Sequence, residues 1–151
     1  MRVVAVITVG IVLMMAVTAV SIAALDFGRN RGWWGVSDSL HMLQHEPLAS
    51  QKLLGLALAT STSEQRFDSL LTSAAVVSNC FTTDPESAEA LDQAIAIAVA
   101  DGWTEAADTR QTSTWAGRKP APSGGEMTAI LTFGDHLGSC ASNELGVRLV
   151  Y

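Results

Sequence analysis

Apolar residues follow three different rhythms along this chain, and each rhythm predicts a different kind of element. From Val3 to Leu25 (VVAVITVGIVLMMAVTAVSIAAL) they are almost continuous, with no charge, no proline and one glycine. As a helix this run is about 35 Å long, enough for a hydrocarbon core of about 30 Å. A soluble helix is rarely apolar on every face over such a length, so the pattern predicts a membrane segment. Two fates are open. A cleaved signal peptide finds its basic start in Arg2 and a small-residue cut in Ser21-Ile22-Ala23, although the run exceeds the usual ~7–15 apolar residues. An uncleaved anchor, the preferred reading, is suggested by Arg29, Arg31, Trp33 and Trp34, which follow the run as a membrane-interface girdle. The predicted organisation is a signal-anchor or signal peptide over 1–25, a juxtamembrane segment with a short helix over 26–47, and a small domain over 48–151.

In the middle of the chain the apolar spacing is mostly three and four. Ser37–Glu46 reads as a short helix with Leu40 and Leu43 on its apolar edge, stopped by Pro47. Leu48–Thr60 carries both signals, and its Leu and Ala content leans to helix. Ser61 and Glu64 stand at capping-box spacing, and Phe67, Leu70, Leu71, Ala74, Val77 and Phe81 continue as one helical face. Asp84-Pro85 opens a further helix, with Glu86 and Glu89 in its first turns. Leu91, Ala94, Ile95 and Ala98 form its buried stripe, and Gly102 ends it.

Past Trp103 the rhythm shortens to two. Met127, Ala129, Leu131 and Phe133 alternate with Thr128, Ile130 and Thr132, and Leu145, Val147, Leu149 and Tyr151 do the same. Both runs predict strands with one apolar face. Trp103–Thr112 reads as a weaker edge strand. Ser113–Gly125, with two prolines and three glycines, reads as an exposed irregular loop. The expected fold class is therefore α+β: an N-terminal membrane helix or signal segment, then helices packed on a three-stranded antiparallel sheet.

Charge narrows the partners. The chain has 151 residues, 9 of them basic and 15 acidic. Without Arg2 the remainder has 8 basic residues against the same 15 acidic ones, a formal −7. Such a surface repels phosphate backbones and argues against nucleic acid as a partner. Arginine and alanine usage is that of a GC-rich bacterial genome.

Candidate chemistry is sparse. Cys80 and Cys140 are the two cysteines, an even count that in an exported chain predicts one disulfide and an oxidising compartment. His41 and His45 stand four apart on the short helix. With Asp38, Glu46 or His136 they have metal-binding spacing, but Met42, Leu43 and Gln44 between them lack the glutamate of a His-Glu-x-x-His site. No Gly-x-Ser-x-Gly elbow or phosphate loop occurs, and no cofactor is expected. Trp115, Arg118 and Lys119 on the Ser113–Gly125 loop are the candidate binding residues, since tryptophan and arginine are enriched at interface hot spots. The alternative is that Trp115 folds back as a lid on the core.

These features predict a membrane-tethered extracytoplasmic interaction or accessory module without catalysis of its own. It would sit in the cell membrane as a single-pass protein with its C-terminal domain outside, or be secreted if the leader is cleaved. Its partners would be membrane lipid through residues 3–25 and a protein of the cell envelope. A small secreted hydrolase using carboxylates or His41, His45 and His136 is the alternative function. A structural subunit of a membrane complex, using Thr8, Gly10 and Thr18 as helix contacts, is another.

Overall fold

The structure is a computed structural model and describes residues 14–18, 20–25, 27–28, 35–67, 73–83, 88–106, 113–134 and 140–151. It forms two compact units, Met1–Asp38 and Ser39–Tyr151.

In the first unit, residues 14–18 and 20–25 are helical and exposed. The Thr18 hydroxyl bonds the Met14 carbonyl, and Ser21 Oγ donates to the Val17 carbonyl at 2.8 Å. Among the described residues no helix is long and apolar enough to cross a membrane. This corrects the single-pass membrane localisation. The described helical stretches, 14–18 and 20–25, each rise less than about 10 Å at 1.5 Å per residue, against a hydrocarbon core of about 30 Å. Residues 1–13, and the predicted girdle residues Arg29, Arg31, Trp33 and Trp34, lie outside the described residues.

The second unit is a six-stranded antiparallel sheet with helices on one face. Its strands are β1 (Ala57–Phe67), β2 (Ser73–Thr82), β3 (Thr104–Glu105), β4 (Thr114–Pro120), β5 (Glu126–Phe133) and β6 (Glu144–Val150), in the order β1-β2-β6-β5-β4-β3. Helix α1 (Asp38–His45), two 3-10 turns (Pro47–Ala49 and Leu53–Gly55) and helix α2 (Ala88–Ala100) complete it.

The expected three-stranded sheet is thus too small, for two physical reasons. The described parts of Ser61–Phe81 fold as strands β1 and β2 rather than a helix. Val77 and Phe81 are four apart, a spacing shared by a helix face and a strand face, so they could not distinguish the two. Ala75, Val77, Asn79 and Phe81 are buried at a period of two, and Cys80 between the last two is buried in its disulfide. Leu70 and Leu71 lie outside the described residues. Likewise Thr114–Pro120 is a strand, not a loop. Pro120 is its last residue, where a missing N–H does least harm to the ladder.

The sheet's inner face is built from residues two apart. Ala75, Val77 and Phe81 of β2, Leu145, Val147 and Leu149 of β6, Met127, Ala129 and Leu131 of β5, and Trp115 of β4 are all buried in one cluster. Leu40 and Leu43 of α1, Leu48 and Leu53 of the 3-10 turns, and Leu91, Ala94 and Ala98 of α2 close over them. Helix α2 ends in a Schellman cap. Trp103 N–H donates to the Ala98 carbonyl at 3.0 Å and Gly102 N–H to Val99 at 3.1 Å, with Gly102 at φ 90°. That cap turns Trp103 back into the core.

Candidate functional site: a polar cleft beside an edge strand

The structure takes the predicted binding residues apart. Trp115 has 0% exposure, so it is the core lid and is not presented to a partner. Its indole lies flat over Gly117, two residues on along the same face of β4. A Cβ at position 117 would stand 2.1 Å from Trp115 Cη2, so this strand position requires glycine. The glycine that suggested an irregular loop is the seat of the tryptophan.

Lys119 reaches the same side and enters a three-residue ion cluster. Its Nζ is 2.8 Å from Glu46 Oε2, just past α1, and 2.8 Å from Asp101 Oδ2, just past α2. It also stands 5.7 Å from the centre of the Trp103 ring, within cation–π range. Burial works to raise the Asp101 carboxyl, but the hydrogen bond and charge of Lys119 outweigh it and hold the group below its ordinary value. Burial likewise works to lower the Lys119 ammonium, and its bonds to Asp101 and Glu46 overcome that and raise it. All three side chains are less than a third exposed. The cluster therefore clasps two helix ends to β4. Arg118, on the opposite face of β4, is exposed and meets Glu126 at 3.6 Å, a surface pair of little energetic weight.

Cys80 and Cys140 form the predicted disulfide, with their Cα atoms 5.5 Å apart and both residues buried. It ties β2 to the segment leading into β6. His41 and His45 are exposed and their rings lie 4.2 Å apart, with His45 Nδ1 2.8 Å from the His41 carbonyl. His136 lies outside the described residues. Among the described residues, the three metal-capable side chains that converge are Cys80, Cys140 and Glu144, and the disulfide occupies both sulfurs.

What the fold does assemble is a polar cleft of about 350 Å³ where β1 meets the helical layer. Its lining is contributed by Gln44, Ala49, Ser50, Gln51, Ser61, Ser63, Val77 and Asn79, without a single charge. Asn79 forms its floor. It sits on the inward face of β2 with 1% exposure, among apolar neighbours, and must therefore be fully bonded. Its Nδ2 donates to the Ala49 carbonyl at 2.9 Å and its Oδ1 accepts from Ser61 Oγ at 2.8 Å. One side chain thus pins the first 3-10 turn to the edge strand and sets the width of the cleft between them. Gln44 Nε2 reaches Ser63 Oγ at 3.4 Å across the rim. Amide and hydroxyl groups at these positions are donors and acceptors for a neutral polar ligand.

No family model matches this chain, and no curated protein does. Among solved structures, a DUF4853 family protein from Actinomyces odontolyticus is similar at 9% identity, over 78% of this chain and 68% of that one, with a TM-score of 0.36.

Beside the cleft, β1 is the long edge of the sheet: eleven residues, with 57–64 half-buried or exposed. At the opposite edge, β3 has two residues. Neither Asn79 nor the β1 edge figured in the sequence prediction. The signal that could have found them was Asn79 itself, a lone amide at an inward position of the alternating run Ala75–Phe81.

Proposed function

We propose that the Ser39–Tyr151 domain is an interaction module of an oxidising, extracytoplasmic compartment, without catalysis of its own, and that it serves as an accessory to an envelope protein. The observation that supports this most is the pairing of a neutral polar cleft with a long exposed edge strand. Strand edges carry unsatisfied N–H and C=O groups and are templates for association. Amides and hydroxyls beside such an edge add directional bonds, and the residues lining the cleft include no histidine or carboxylate to activate a serine hydroxyl. The buried Cys80–Cys140 bridge suits a secreted protein.

Site-specific photo-crosslinking in the producing cell tests the reading. A photoreactive residue at Gln51 or Thr62, on the cleft rim and the β1 edge, should give discrete adducts. The same residue at Val99, which is 56% exposed on α2, should not. Adducts at Val99 with none at Gln51 or Thr62 would move the contact surface elsewhere and reject the proposal.

A further inference from the structure

We infer that the occupant of the β1 edge is a second copy of this chain, joined by antiparallel β1–β1 pairing about a two-fold axis through Thr62. The inference rests on the reading of β1 and its cleft as the contact surface, and names what fills it.

The edge itself supports this. Long edge strands are usually guarded by charged side chains, lysine above all, by proline or by a bulge. Ala57–Phe67 contains no lysine and no proline, and its charges, Glu64 and Arg66, stand towards its end, which leaves Thr60–Ser63 uncharged. Its one irregularity, a register shift against β2 between Leu58 and Thr60, lies at the start of the strand and leaves Thr60–Phe67 in continuous register with β2. Among the described residues the strand at the other edge, β3, has two residues.

The strand is also its own best complement. Thr62 is the midpoint of Ala57–Phe67, so antiparallel pairing centred there sets Thr60–Glu64 of the two copies opposite one another, clear of the irregularity between Leu58 and Thr60. Ser61 then faces Ser63 of the other copy and Thr60 faces Glu64. Serine and threonine pairs are favourable across antiparallel strands, whereas like charges directly opposite are not. In this register Glu64 never meets Glu64, which matters in a chain of formal charge −6. A foreign extended segment would have to be ordered on binding. A second β1 is already held straight by ten residue pairings with β2, so that entropy has been spent before the copies meet.

The cleft then gains a role. Ser61 and Ser63 line it from β1. Pairing through Thr62 sets each of these serines against the other in the partner copy, on the same face of the sheet. The two clefts join across the axis into one trough, and both helical layers lie on one side of a continuous twelve-stranded sheet, twice the six of one copy.

The test uses the full-length chain. Sedimentation velocity across a wide concentration range should show a reversible dimer. Thr62→Lys sets two ammonium groups face to face on the axis and should weaken the dimer by about tenfold or more while leaving the circular dichroism spectrum unchanged. Thr62→Cys should form an intermolecular disulfide under mild oxidation, because residues facing on a two-fold axis have Cα atoms about 4.5–5.5 Å apart. Thr60→Cys should not, since its opposite residue is Glu64. Trapping at 60 and not 62 overturns the register and the inference with it. So does a dimer untouched by Thr62→Lys, as association through the apolar N-terminal run would be. A strict monomer that crosslinks from Thr62 to a different protein also overturns the inference but leaves the contact surface standing. A strict monomer with no adduct removes both.

Discussion

The two ends of the sheet are built on opposite terms. At the β4 end the inward side chains serve the fold. Trp115 lies over Gly117, Trp103 packs into the core, and Lys119 is clasped between Glu46 and Asp101. At the β1 end Leu58 still packs against the core, but the inward Ser61 and Ser63 line a cleft. Among the described residues the edge strand is β3, with two residues, at the first end and β1, with eleven, at the second. The contrast teaches that aromatic and cationic residues in a loop-like sequence need not form a binding surface. Here they lock the β4 end, and the groups left to line a cleft are serine, glutamine and asparagine.

The largest expected effect comes from unlocking the β4 end. Trp115→Ala removes a fully buried indole and should cost about 3–5 kcal/mol of stability, read from the urea midpoint. A change within about 0.5 kcal/mol, the range of a surface substitution, would mean that β4 does not seal the core.

The disulfide comes next. Replacing Cys80 and Cys140 together by serine reopens a loop of 60 residues and should cost about 4 kcal/mol in the chain-entropy model. Non-reducing peptide mapping of the native chain should recover the 80–140 pair, and fully alkylated thiols would reject it.

Breaking the ion clasp should cost less, about 2 kcal/mol for Lys119→Met, because its groups are buried only in part and solvent screens them. Its pH profile is distinctive. The raised Lys119 pKa contributes stability that is fully present below the ordinary lysine range and is lost as pH rises through the folded value. The lowered Asp101 pKa contributes stability present above the ordinary aspartate range and lost as pH falls through the folded value. The stability gap between wild type and Lys119→Met should therefore be flat at intermediate pH and shrink at both extremes. A gap that stays constant from acid to alkali would rule out the clasp as its source.

The smallest effect is expected at the open end. Thr62→Lys on β1 should change the stability of the isolated subunit by no more than about 0.5 kcal/mol. A loss comparable to that of Trp115→Ala would show that the fold depends on β1 no less than on β4, and would erase the contrast between the two ends.

The sequence by itself determined the elements whose signals are local. The strands at Glu126–Phe133 and Glu144–Val150 follow from strict alternation, and α1 from Leu40, Leu43 and the stop at Pro47. The described part of α2 and its cap at Gly102 follow from a stripe and a left-handed residue that need no distant partner. The disulfide followed from an even count of cysteines. Only the tertiary structure decided the rest, since those choices depend on neighbours far along the chain. Ser61–Phe81 satisfied a helical spacing as well as a strand spacing, and pairing of β2 with β6 selected the strand. Gly117 read as a loop breaker because the indole that fills its missing side chain belongs to a strand that exists only when β5 pairs with it. Asn79 and Ser61 are 18 positions apart and Ala49 is 30 from Asn79, so their shared bonds and the cleft they shape appear only when the sheet brings them together. A buried amide is tolerable only where such distant partners satisfy it, and no local pattern can state that in advance.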